Sequence, residues 1–479
     1  MTFSLFTFIF TFTVTVLFYC LGKGARLYVL LFASLFYAAY LDLRSLYFLV
    51  VSTLIVYAAG LLLDGMSPDD PKKNNRVAAA FVVLMILAML VIKFIPRYIH
   101  KLPISVDARD AILRNLILPI GFSYYGFQAI GYILDIKKGS VKAERNLVRF
   151  ALYMCFFPKF VSGPIEKAED FLSQLDTVKK AKLFNEDRLS RAMTYLVYGY
   201  LMKTVIGDRM GIYAGNLFGD YVNHGYIWLI IGSFLYTMQI YCDFAGYSAI
   251  AIGVAKLFDI TLTQNFFSPY LSDNISEFWR RWHISLSLWL REYVYIPLGG
   301  NRKGFVRRCI NMMIVFFICG IWHGDSLGFV AWGLLHGLYS VWNAFLIRSG
   351  IKIHHIIKRI MTFLSVSVAW IFFGQSSLRN ALGYIMAIMR RNNPDKTFMV
   401  DMQIMELKWS GLCLIILGIV MAFVMDIKGY IREKPFPEVV AQGNYVLRYL
   451  FLYFAIIVIF IFGIYGTGYD ASMFMYMDF

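Results

Sequence analysis

Apolar segments about as long as a bilayer is thick recur from one end of this chain to the other, with only short polar gaps between them. They fall at 3–20, 27–42, 46–63, 77–95, 114–134, 224–241, 309–322, 327–347, 360–373, 409–426 and 448–465. Each approaches the roughly 20 residues that cross the hydrocarbon core as a helix, or is short enough to tilt, break or re-enter. Backbone polar groups in lipid must be satisfied within the protein, so segments of this length become helices. Hydrophobic residues make up 59% of the 479 and charged residues 16%, against roughly a quarter charged in soluble domains. The expected fold is an all-α polytopic membrane protein with about 11 or more spanning helices plus re-entrant or interfacial helices.

The net charge of +16 belongs to cytoplasmic loops rather than to a nucleic-acid surface. No Lys or Arg precedes Lys23, so the first segment reads as a retained span with an outside N-terminus. Alternation then places Lys23 and Arg26, Lys72, Lys73 and Arg76, and Lys137, Lys138, Lys142 and Arg145 inside. It does the same for Arg302, Lys303, Arg307 and Arg308, for Arg348, Lys352, Lys358 and Arg359, and for Lys428, Arg432 and Lys434. The C-terminus then also lies outside. Arg97 and Lys101, and Arg390 and Arg391, are basic loops on the wrong side of this rule. The six cysteines lie in or beside apolar runs without a Cys-x-x-Cys pair and read as small buried hydrophobes.

Three regions differ in texture. Residues 1–100 look like plain peripheral spans, and 348–479 return to plain spans. In 101–347 the apolar runs are interrupted by Pro, Gly and charge. Irregular backbone at membrane depth is tolerated only where protein buries it or a cavity adjoins it, so this region is where a central cavity or tunnel is expected. Residues 166–192 mix charge with spaced leucines and suggest one amphipathic surface helix. No internal repeat supports an inverted-repeat transporter.

The sharpest candidate is His323, in the run from Asn311 to Trp322-His-Gly324. Ionisable groups in hydrocarbon are costly and usually functional. Fifteen residues of helix from Arg308 place it about 22 Å from the basic loop at ~1.5 Å per residue. A second histidine, His283, follows Asn274-Ile-Ser-Glu-Phe-Trp-Arg-Arg-Trp282. In one continuous helix it would share a face with Trp279. Arg280, Arg281 and Arg291 could grip an anion, or simply snorkel from an interfacial helix. Asp243, after a long apolar run, needs a partner such as an arginine or a Tyr hydroxyl. His336 ranks below both histidines as a packing or hydrogen-bonding residue, and His100, His224, His354 and His355 sit in loops. No metal is expected, because no His/Asp/Glu cluster has ligand spacing.

Several of these stretches together resemble the membrane-bound O-acyltransferases, in particular the bacterial branch that O-acetylates extracellular polysaccharide. They are Leu118-Pro-Ile-Gly-Phe-Ser-Tyr-Tyr-Gly-Phe-Gln128, Phe156-Phe-Pro-Lys-Phe-Val-Ser-Gly-Pro-Ile165, Lys203 to Arg209, and Tyr241 to Gly253. Asn274 to Arg302, Trp322-His-Gly324, Leu335-His-Gly337 and Asp470-Ala-Ser-Met-Phe-Met-Tyr476 complete the match. At Ala249 the chain departs from alginate-type members, which usually carry an acidic residue after Gly-Tyr-Ser. The resemblance implies that His323 is catalytic, with His283 as a second functional histidine. It implies an acyl-CoA donor, with acetyl-CoA the expected one, and no permanently bound cofactor. Arg280, Arg281, Trp282, Asn274, Arg302 and Trp322 are the expected donor-binding residues. It further implies the bacterial cytoplasmic membrane and its lipid, a periplasmic or surface SGNH-type acyltransferase partner, and an extracellular glycan as final acceptor. Two other readings stand beside it: D-alanyl transfer from a carrier-protein thioester to teichoic acid, and a transporter or channel without chemistry.

Overall fold

The computed structural model describes residues 3–66, 70–116, 119–182, 185–393 and 398–464. Leu118 and the Asp470–Tyr476 stretch lie outside the described residues. All regular structure among those described is helical. In chain order the helices are α1 (Phe3–Cys20), α2 (Arg26–Leu41), α3 (Leu43–Asp64), α4 (Pro71–Tyr98), α5 (Val106–Asn115), α6 (Phe122–Lys138) and α7 (Leu147–Cys155). Next come α8 (Ala168–Val178), α9 (Glu186–Tyr200), α10 (Asp208–Gly219), α11 (Tyr226–Leu257), α12 (Ile275–Arg281), α13 (Ile284–Leu290), α14 (Gly304–His323) and α15 (Leu327–Arg348). The remainder are α16 (His355–Gly374), α17 (Leu378–Met389), α18 (Phe398–Ile404), α19 (Trp409–Ile431), α20 (Phe436–Ala441) and α21 (Tyr445–Phe462). Among the described residues nine helices are long and apolar enough to cross a membrane: α2, α3, α4, α11, α14, α15, α16, α19 and α21. Ile9–Cys20 of α1 is a shorter apolar helix. The segment expected at 114–134 is not among them, because α5 ends at Asn115 and the chain turns through Pro119 and a left-handed Gly121 (φ 76°) before α6.

The chain forms two compact units, one drawn from residues up to Ala192 with Ala251–Thr263, the other from Met193–Ile250 and residues from Gln264 onward. In the first unit, α2 packs on α3 and α7, and α6 packs on α3 and α4. Asp42 caps α3, accepting from the backbone N–H groups of Arg44 (3.3 Å) and Ser45 (2.7 Å) and from the Ser45 hydroxyl (2.6 Å). The same hydroxyl accepts from the Ile120 N–H at 2.9 Å, tying the turn before α6 to the start of α3. Arg26, expected as a loop cation, is buried. Its Nη1 donates to the carbonyls of Val178 (3.3 Å), Lys179 (3.1 Å) and Ala181 (2.7 Å), and so caps the end of α8. The amphipathic stretch at 166–192 is two helices, α8 and the start of α9, because the chain leaves helix at Val178 where Arg26 takes its carbonyls. Lys159 donates to the Tyr153 carbonyl at 2.6 Å. Glu166 accepts from the Thr263 N–H at 2.7 Å and its hydroxyl at 3.1 Å. Burial pushes the Glu166 carboxyl up and the Lys159 ammonium down, while the charge of each partly restores the other.

In the second unit, α9 continues into α10 through a π-helical segment, Leu201–Gly207. Lys203 on that segment pairs with Asp208 and, at 2.6 Å, with Asp243 of α11. A lysine, rather than an arginine or tyrosine, is thus the partner of Asp243. His224, expected to be an idle loop residue, is buried with Nδ1 at 3.0 Å from Asp401, whose other oxygen takes the Gly225 N–H. α14 and α15 form an antiparallel hairpin. Their backbones meet at Gly320 and Gly333, where an added Cβ would collide with the Phe329 and Phe316 carbonyls respectively. Large apolar side chains on α21 (Leu450, Tyr453, Phe454, Ile457, Phe460 and Ile461) are exposed, as a lipid-facing helix requires. Of the cysteines, Cys155, Cys242 and Cys319 are buried, whereas Cys20 and Cys413 are exposed on α1 and α19 rather than packed in the core.

Removing the α3 cap with Asp42→Ala should cost about 1 kcal/mol, read as a lower unfolding midpoint of the detergent-solubilised protein. The Ser45 hydroxyl, against the opposing effect of burial and with help from the two backbone N–H groups, holds the Asp42 carboxyl below its ordinary range. The cap's contribution is therefore full above pH ~4 and is lost as pH falls through the lowered folded-state value. An Asp42→Ala midpoint equal to wild type contradicts the cap. Gly333→Val should force α14 from α15 and cost about 1–3 kcal/mol. An unchanged midpoint for that variant contradicts the backbone contact.

Candidate active site

The segment between α11 and α14 is short helices and irregular chain, held by its own hydrogen bonds. The Phe267 N–H donates to the Arg281 carbonyl at 2.9 Å, and the Ile284 N–H to the Asn265 carbonyl at 3.0 Å. The Asn265 side chain accepts from the Ser285 N–H at 3.1 Å and reaches the Ser248 hydroxyl at 3.4 Å. This clamp holds His283 in the left-handed region, φ 42° and ψ 56°, a backbone state costing roughly 1–2 kcal/mol for a residue with a Cβ. His283 therefore sits in the break between α12 and α13, and the single helix that would have put it on one face with Trp279 does not form. Its ring lies edge-on to Phe244 (4.8 Å) and Trp322 (6.2 Å). Burial pushes its imidazole down to about 3, so the ring is neutral at physiological pH.

His323 is the last residue of α14, so the helix carries it the full length of the hairpin from the basic loop. At ~1.5 Å per residue Arg302 and His323 lie at opposite ends of a helix about 30 Å long. The His323 ring is enclosed by aromatic rings: Trp322 at 4.7 Å, Trp332 at 4.9 Å and perpendicular, and Phe373 at 5.1 Å. Trp322 touches both histidine rings and so bridges them. Trp282, fully buried, packs on Phe278 (5.5 Å), Phe266 (5.0 Å) and Trp370 (5.0 Å) and forms the floor of the same aromatic cluster.

The expected anion-binding residues are spread more widely. Arg281 is held by Glu277 (Nε at 3.0 Å, Nη2 at 2.9 Å) and lies against the Phe267 and Tyr430 rings at 4.8 and 4.7 Å, which commits it to structure. Arg280, Arg291 and Arg302 are exposed. Asn274 caps α12 by accepting from the Glu277 N–H at 3.0 Å. It also lines a half-open pocket of about 170 Å³ with Tyr339, Asn343, Lys358 and Thr362.

His336 packs and hydrogen-bonds, as expected from the sequence. It is completely buried on α15, one turn from Trp332 (ring centroids 5.0 Å) and 6.0 Å from the pocket-lining Tyr339. The Trp279 indole N–H donates to His336 Nδ1 at 3.2 Å. An indole N–H can only donate, so Nδ1 must accept and the neutral ring carries its proton on Nε2. That Nε2–H, and the Trp332 indole N–H, have no hydrogen-bond acceptor among the described residues. An orphaned buried donor costs about 1–3 kcal/mol. The available sequence signal was the Trp332-Gly-Leu-Leu-His336-Gly337 spacing, which puts both rings on one helical face.

Comparison with known proteins places the chain in a family. Residues 140–378 match the model of the membrane-bound O-acyltransferase family, MBOAT. The chain is 34% identical over 369 residues to a probable alginate O-acetylase of Pseudomonas syringae pv. tomato, covering 76% of this chain and 70% of the relative. It is 30% identical to the peptidoglycan O-acetyltransferase of Helicobacter pylori, covering 76% of this chain and 73% of that one. It is also 30% identical to the teichoic acid D-alanyltransferase of Streptococcus thermophilus, over 57% of this chain and 65% of that one. The likeness over three quarters of the chain (76%) and the apolar spans give one assignment: this chain is a multi-pass membrane enzyme of the membrane-bound O-acyltransferase family.

Proposed function

We propose that the enzyme takes an acetyl group from cytoplasmic acetyl-CoA and delivers it through the membrane for O-acetylation of an extracellular polysaccharide or peptidoglycan. The observation that carries this reading is the placement of His323. It closes a helix that starts at a basic loop, and it is walled by aromatic rings that exclude water. Loop charge then sets the helix directions, with Arg302–Arg308, Arg348–Arg359 and Lys428–Lys434 cytoplasmic and both termini outside the bacterial cytoplasmic membrane. The exposed Arg302 offers charge to CoA phosphates at the inner face, while His323 meets the acceptor nearer the outer face.

In this mechanism His323 takes the proton of the acceptor hydroxyl as its oxygen attacks the thioester carbonyl. The carbonyl end of α14 favours the positive charge that then forms on the ring. The buried, neutral His283 orients the acceptor or Trp322 from the other side of that indole. Trp322 and Trp282 shape the acyl pocket, and Asn274 contributes from the inner pocket. A surface hydrolase-fold partner of the SGNH type completes transfer to the glycan. The names of the alginate and peptidoglycan relatives support acetyl as the group moved.

The teichoic acid relative favours a second reading, in which D-alanyl arrives on a carrier-protein thioester. Donor choice separates the two. Given an acceptor glycan, the purified protein and its surface partner should release CoA thiol from acetyl-CoA with saturation kinetics, and turnover with only a charged carrier protein would replace the first reading by the second. His323→Ala should remain folded and lower O-acetyl release from the cell's exported glycan by at least about 100-fold. Wild-type O-acetyl content in that strain contradicts the role given to His323. His283→Ala should lower kcat by about 10-fold or more, and because the native ring stays neutral above pH ~3 the pH profile of the residual activity should keep its shape. An altered acid limb in His283→Ala contradicts a neutral orienting role.

A further inference from the structure

Two buried N–H donors on α15 are not used by the histidine chemistry above. His336 Nε2–H and the Trp332 indole N–H lie on one face of α15 with their rings 5.0 Å apart, and neither has an acceptor among the described residues. The direction of the first is fixed. Trp279 occupies His336 Nδ1 as a donor at 3.2 Å, which forbids a proton there and places the ring's single proton on Nε2. His336 is thereby barred from serving as a base through Nδ1, and protonation to an imidazolium would set two N–H groups against each other. It can act only by donating. The Trp332 ring touches the His323 ring at 4.9 Å, so these donors adjoin the proposed base. On the opposite side, the His336 ring lies 6.0 Å from Tyr339, which lines the half-open pocket shared with Asn274 and Lys358. The surrounding Phe278 and Phe316 rings are apolar and the Trp370 indole N–H can only donate, so none of the three offers a competing acceptor.

A pair of N–H donors with no acceptor, buried between a base and a pocket, suits an oxygen that gains negative charge during the reaction. We propose that His336 Nε2–H and Trp332 Nε1–H form the oxyanion hole of this enzyme, receiving the thioester carbonyl oxygen during acyl transfer at His323. This rests on the acyl-transfer reading above. As the acceptor oxygen bonds to the carbonyl carbon, its proton passes to His323 and the carbonyl π pair moves onto oxygen, facing the two N–H groups. Collapse re-forms the C=O bond and breaks the C–S bond, and His323 returns the proton to the departing thiolate. Ester and thiol are the products, and His336 neither gains nor loses a proton.

The test is steady-state release of CoA thiol from acetyl-CoA by the full-length protein in nanodiscs, supplied with its surface partner and an acceptor glycan whose hydroxyl takes the acetyl group. His336→Phe keeps a ring and removes the donor. It should lower kcat about 100-fold while KM stays within about 3-fold, because the contact strengthens only in the transition state. His336→Gln can accept from Trp279 and still donate, and should return kcat to within about 10-fold of wild type. Trp332→Phe removes the second donor and should lower kcat by about 10-fold or more, which decides the matter if His336→Phe does not fold. The proposal is overturned if His336→Phe or Trp332→Phe keeps wild-type kcat, if KM absorbs the loss, or if Gln is no better than Phe. Wild-type turnover abolished by His323→Ala but kept in His336→Phe overturns this proposal alone. Failure of the wild type to cleave acetyl-CoA overturns the acyl-transfer reading with it.

Discussion

In an apolar surround a polar group must find its partner inside the protein, and that constraint orders this structure. Each departure from plain helix is matched by a local hydrogen-bonding device. Arg26 takes up three carbonyls where α8 ends, and Asp42 and Ser45 serve both the start of α3 and the turn before α6. Asn265, through its backbone and side chain together, secures the left-handed break at His283.

The same constraint gives the site its chemistry. Aromatic rings around His323, His283 and His336 remove water without supplying competing charge. A hydrogen bond or a proton transfer inside such a wall is stronger than in solvent. The three histidines are also differentiated by their supports: a helix terminus for His323, a strained turn for His283, and a donating indole that fixes the tautomer of His336. Residues of one type are thereby given separate electrostatic settings within a single aromatic cluster.

Much of this was legible in the sequence. Run length and composition identify the helical membrane fold, and His323 stands out because an ionisable ring in an apolar run needs a reason. Other features depend on contacts between residues far apart in the chain. The Trp279–His336 bond spans 57 positions and the His224–Asp401 pair spans 177, and no local pattern announces either. Helix periodicity misplaced His283 because the clamp to Asn265 overrides the intrinsic preference of the segment. Charge counting placed Arg26 in a cytoplasmic loop, and motif reading gave Arg281 to an anion or the interface, whereas a guanidinium can equally satisfy carbonyls, a carboxylate or aromatic faces indoors.

The central claim is that acyl transfer occurs inside the membrane, from a donor entering at the cytoplasmic face to an acceptor hydroxyl that His323 deprotonates. Sealed inverted vesicles carrying the protein, with its surface partner and acceptor glycan enclosed, test it directly when radiolabelled acetyl-CoA is supplied outside. The account predicts label on the enclosed glycan with wild-type protein, and none with His323→Ala while CoA remains outside. Label transferred equally well by the His323→Ala protein, or intact acetyl-CoA recovered from the vesicle interior, would contradict it.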